Sequence, residues 1–104
     1  MAFNGREGSV VTLKDASGWT KNYRDTLPSD EIIAQFFGRE KLLEILDQED
    51  CMGIRFYYGI ADDGKKNIIA VGATSDQNDM VNGVILEYAL PCKPYCSNGN
   101  SLNS

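Results

Sequence analysis

The most reactive side chains in this sequence are three thiols, Cys51, Cys92 and Cys96. The last two lie in Pro91-Cys92-Lys93-Pro94-Tyr95-Cys96, where Pro94 opposes a helical arrangement. Three thiolates can supply three of the four tetrahedral ligands of zinc. The fourth would be an Asp, a water or a group of a neighbouring subunit, because the chain contains no histidine. The spacing is not a C-x-x-C pair, and no second pair balances it. A disulfide is the competing chemistry, either Cys92–Cys96 or one joining Cys51 to the tail, and Lys93 modestly favours a thiolate next door. The plainest reading is that the thiols are structural. An odd count leaves at least one of them outside any intramolecular disulfide.

Other chemistries find less to work with. The missing histidine removes the usual general base and closes the familiar Ser and Cys triads. The carboxylate pairs Asp62-Asp63 and Glu49-Asp50 fall in turn contexts, where water solvates them, whereas acid–base catalysis needs a partly dry carboxylate. The loop starting at Asp76 imitates a calcium loop at Asp76, Asn78 and Glu87, but Met80 and Val81 stand where a ligand and a glycine are required. No glycine-rich phosphate cradle is present. These absences point to a chain that is not an enzyme and carries no cofactor, zinc being the alternative. Arg55 and Tyr57 are the remaining candidates. Arg55 can read a carboxylate or phosphate through a bidentate bond, or simply cover its neighbours with its methylene stem. Tyr57, beside it, suits an interface. A net charge of −5 and a pI near 4.5 argue against nucleic acid as partner. The cluster Asp47, Glu49, Asp50 reads as a solvated face.

The elements that would position these groups follow from the spacing. Residues 1–9 are poor in apolar side chains and read as a flexible arm; they also lack the apolar core of a secretory signal, so cytoplasm is the expected compartment. Thr12 caps a helix over residues 13–25, whose Leu13, Ala16, Trp19 and Tyr23 recur at helical spacing. Ser29 opens a short helical turn carrying Ile32, Ile33, Phe36 and Phe37. Gly38 breaks it, and a second helix follows over 39–48. Residues 53–60 alternate, with Ile54, Phe56, Tyr58 and Ile60 on one face and Arg55 and Tyr57 on the other, as in a half-buried strand. Asp62-Asp63-Gly64-Lys65-Lys66 is a turn into an apolar central strand, 67–74. After a polar loop at 75–83, residues 84–90 are expected to form a third strand, and 91–104 an irregular tail. The fold class is α+β: one domain over 10–90, its helices packed on a small antiparallel sheet of about three strands. Phe36, Phe56 and Tyr58 are expected under the helices. No run approaches the roughly 20 apolar residues of a membrane span.

Two runs, Phe36-Phe37-Gly38-Arg39-Glu40-Lys41-Leu42-Leu43-Glu44-Ile45-Leu46-Asp47-Gln48 and Cys51-Met52-Gly53-Ile54-Arg55-Phe56-Tyr57-Tyr58-Gly59, resemble a family of small uncharacterised bacterial proteins. The likeness extends through Val71-Gly72-Ala73, Asn78-Asp79-Met80 and the Cys92…Cys96 tail. It implies that Cys51, Cys92 and Cys96 act together, and no substrate or mechanism. The functional expectation is a small non-catalytic protein that binds a protein partner or a second copy through a sheet edge and aromatic surface. A thiol module for metal or redox change at the three cysteines is the alternative. A small-molecule or anion site at Arg55 and Tyr57 comes third.

Overall fold

A computed structural model describes residues 2–104. The chain runs α1 (Leu13–Arg24), β1 (Ala34–Phe36), α2 (Arg39–Leu46), β2 (Cys51–Ile60), β3 (Lys66–Thr74), β4 (Ile85–Leu86), β5 (Leu90–Cys92). β2, β3 and β4 form one antiparallel sheet in that order, and β1 pairs with β5 in a second. The fold class is α+β, as expected. The chain forms two compact units. A sheet unit comprises residues 2–7 and 36–90; a tail unit comprises residues 8–35 and 91–104.

The sheet unit is built on the β2–β3 hairpin, in register from Ile60↔Lys66 to Gly53↔Ala73. Its turn closes through the Ala61 amide on the Lys65 carbonyl, 2.9 Å, and Gly64 takes a positive φ of 83° that suits glycine. α2 starts at Arg39 with Gly38 as its N-cap, as the sequence predicts, and Ile45, Ala70, Val71 and Ala73 are buried. The helix is anchored by Gln48, whose Oε1 accepts from the Val84 amide at 2.8 Å while its Nε2 donates to Ile45 O at 2.9 Å.

Phe36, Phe56 and Tyr58 are not core residues. Phe56 is half exposed, Phe36 is 60% exposed and Tyr58 is 92% exposed. The reason is length. Eight helical residues span about 12 Å, whereas a ten-residue strand reaches roughly 33 Å. α2 therefore covers only the Cys51/Thr74 end of the hairpin, where Gly72 lies against Gln48, and the far end of β2 is bare.

Two further expectations are corrected. The short helical turn before Gly38 is instead strand β1, which a partner distant in sequence, β5, draws into extended form. The third strand over 84–90 contracts to Ile85–Leu86, paired with Val71 and Ala70. Tyr88, at φ 61°, turns the chain out of extended geometry before β5 begins.

In the tail unit, α1 is capped as predicted, Thr12 Oγ1 accepting from the Asp15 amide at 3.1 Å. Its apolar stripe is not a buried face, since Leu13, Trp19 and Tyr23 are all exposed. The helix is tied to the tail by polar bonds instead. Ser17 donates to Ser101, 2.7 Å, and the Arg24 guanidinium donates to the Leu102 and Ser104 carbonyls. No helix among the described residues is long and apolar enough to cross a membrane.

Candidate functional site

Arg55 and Tyr57 sit two apart on β2, so both side chains leave the same face of the sheet. Val71 and Ile69 of β3 lie opposite them, and the two long side chains reach across β3 to one acid, Asp79. Asp79 is held there by an isolated bridge to Ala73, flanked by the bonds Thr74 N to Asn78 O and Met80 N to Gly72 O, each 2.9 Å. The Arg55 guanidinium pairs with one carboxylate oxygen and the Tyr57 hydroxyl donates to the other. A further Arg55 bond reaches the Gln77 carbonyl at 3.2 Å. Sequence reasoning singled out Arg55 and Tyr57, and the structure brings them together. It missed Asp79, which it left in the polar loop at 75–83. A guanidinium and a phenol on one strand face call for an acceptor, and an acid leaving the central strand is the nearest source.

The electrostatics follow from the contacts. The Tyr57 hydroxyl, and then Arg55, hold the Asp79 carboxyl below its usual range, while the bonds to Asp79 raise the pKa of both Arg55 and Tyr57, keeping the guanidinium charged and the phenol protonated. Asp79 is thus ionised and Tyr57 protonated across neutral pH, and the charge of Arg55 is balanced by that of Asp79. None of the three is poised to exchange a proton there.

Residues 2–7, read from the sequence as part of a flexible arm, lie along the start of β2. The Phe3 amide donates to Ser75 O at 2.8 Å, and the Phe3 ring stands 5.5 Å from the Arg55 guanidinium carbon. Glu7 folds back to accept from the Asn4 and Gly5 amides, both 3.0 Å, and these bonds, Asn4 first, lower its pKa. Between this arm and β2 is an open depression of about 470 Å³, lined by Phe3, Glu7, Met52, Ile54, Arg55 and Phe56.

Beyond the arm, β2 is an edge strand. Its last five residues, Phe56–Ile60, include Tyr58 and Ile60, 92% and 78% exposed, and contain no lysine, proline or acid. Those are the residue types that normally discourage a second chain from pairing with an open edge.

The cysteines divide between the two units. Cys92 and Cys96 are joined in a disulfide with a Cα–Cα distance of 4.6 Å. Cys51 is free and half-buried at the start of β2, its thiol 3.2 Å from the Gly53 carbonyl. Among the described residues no three Cys, Asp or Glu side chains are grouped to hold a metal ion. Glu87, the last position of the calcium-like loop, accepts from Asn67 Nδ2 at 2.8 Å. The chain matches no protein-family model, no curated protein and no solved structure.

Proposed function

We propose that this chain is a small, non-catalytic interaction protein that works by strand addition at the outer edge of β2. The observation that carries the reading is the bare stretch Phe56–Ile60, an unprotected edge whose apolar side chains no helix covers. An incoming strand gains main-chain hydrogen bonds from the edge and side-chain burial against Phe56, Tyr58 and Ile60. Tyr57, fixed through Asp79, stiffens the same strand from its other face. A fluorescein-labelled heptapeptide of alternating Val and Thr tests this by anisotropy. Saturable binding that Tyr58→Pro abolishes supports the reading, because proline removes an edge amide. A peptide that does not bind, or binds the proline variant equally, overturns it.

The Cys92–Cys96 disulfide favours a second reading, a thiol-based redox module. Reduction would free two thiolates in the tail, which zinc would also require. Thiol titration and elemental analysis of protein purified without reductant decide this reading. A disulfide that opens at the glutathione potential, or bound metal, supports it; an inert disulfide in metal-free protein ends it.

A further inference from the structure

We infer that the strand added to β2 is β2 of a second copy, paired antiparallel about a two-fold axis through Tyr58. The inference rests on the edge reading above and names its partner. The backbone phase decides which amides are free. In an antiparallel pair, the amide and carbonyl of one residue point to the same neighbour, and successive residues alternate. The Ala61 amide bonds to Lys65 O inside the hairpin, so Gly59, Tyr57 and Arg55 also face β3. The far side of β3 gives the same answer independently. Gly72 and Thr74 bond the segment 78–80, which leaves Ala73, Val71, Ile69 and Asn67 facing β2, opposite Gly53, Arg55, Tyr57 and Gly59. The groups at the open edge are therefore those of Ile54, Phe56, Tyr58 and Ile60.

Two-fold antiparallel pairing requires these edge-facing residues to meet one another. The arm limits the choice, because Gly5 lies beside the Met52 carbonyl and the depression that the arm shares with the strand extends to Phe56. The stretch from Phe56 to Ile60 is clear. Centring the axis on Tyr58 uses that stretch and no more, with Tyr58 opposite Tyr58 and Phe56 opposite Ile60 in doubly bonded pairs.

The side chains agree with this register. Phe56, Tyr58 and Ile60 leave the face that carries α2, where Phe37 stacks on Phe56 at 6.2 Å between ring centres. The two-fold places the second copy's Phe56, Tyr58 and Ile60 on the same face. Each copy thereby covers the part of the strand that its own short helix leaves bare. No charged residue lies between Phe56 and Ile60, so a chain of net charge −5 brings no like charges together at this join. On the other face, Tyr57 meets only Gly59. A join of five residues is smaller than the about 800 Å² per partner of a standard interface, so the dimer is reversible and concentration-dependent.

Sedimentation of the intact chain across the micromolar range tests this, with a charge exchange at the axis. Wild type is expected to pass from monomer to dimer. Tyr58→Lys and Tyr58→Glu, each checked for native circular dichroism, are each expected to weaken the dimer roughly tenfold or more, because like charges then meet at the axis. Their mixture is expected to restore it, because opposite charges then meet across the axis. A dimer that survives either single change, or a mixture that stays monomeric, overturns the register. Wild type that stays monomeric at every concentration while still binding the Val/Thr peptide overturns the second copy and spares the edge. Loss of both behaviours takes the edge reading down as well.

Discussion

The sheet unit and the tail unit hold themselves together by different means. In the sheet unit, Ile45, Ala70, Val71 and Ala73 are buried, and the backbone of β2 and β3 is paired over nearly its whole length. In the tail unit, Cys92 is the one apolar residue among those described that is buried, and α1 contributes none. Order there comes from a disulfide, a helix cap, and serine and arginine bonds to the tail. The contrast follows from the residues available. A sheet repeats its bonds along the chain and carries a dense apolar face with it, whereas a tail rich in Ser, Asn and Pro has little to bury and must be tied at points.

The largest test of that contrast is Ile45→Ala. Removing the one fully buried large side chain among the described residues is expected to cost about 2–5 kcal/mol, read as a fall in the urea midpoint of the sheet unit's signal. Gly72→Ala comes next. An added Cβ would lie 2.9 Å from Met80 Sδ, 3.0 Å from Cys51 Sγ and 3.2 Å from Gln48 Nε2. Three neighbours must move at once, an overpacking cost of about 1–3 kcal/mol measurable by the same titration. Reducing the Cys92–Cys96 disulfide should act on the other side of the comparison. Its closed loop is short, so the chain-entropy effect is about 2 kcal/mol. Hydrogen exchange should show faster amides in residues 91–104 and unchanged amides in β2 and β3.

The smallest effect belongs to the Arg55–Asp79–Tyr57 cluster and is a matter of pH. Asp79 ionises more readily folded than unfolded, so its stabilisation is complete above the ordinary carboxylate range and fades as pH falls through its lowered value. Tyr57 is shifted upward, so its share is complete below the ordinary phenol range and is lost as pH rises through the raised value. A plot of Tm against pH should show a plateau bounded by both, and Asp79→Asn should flatten both limbs.

Much of this architecture is legible in the amino-acid sequence. Thr12 and Gly38 mark helix starts by side-chain chemistry and missing side chain, signals that act within a turn. The 53–60 alternation and the Asp-Asp-Gly turn define the hairpin by period and φ preference alone. What failed depended on distant partners. β1 is extended because of β5, and nothing within residues 34–36 says so. The core assignment of Phe56 and Tyr58 was correct about the face and wrong about burial, because strand alternation does not report how far a helix reaches. Asp79 was invisible for the same reason. Its role comes from two residues on another strand, and its own neighbours in sequence read as an ordinary polar loop.

The opposite border of the main sheet has its own consequence. β4 is two residues long, and Tyr88 bends the chain away directly after it. A further chain arriving on that side would find almost no rungs to bind. Growth of the sheet is therefore one-sided, and an assembly that uses up β2 is finished. Two copies joined through β2 would therefore form a closed pair, without the open repetition from which fibrils grow.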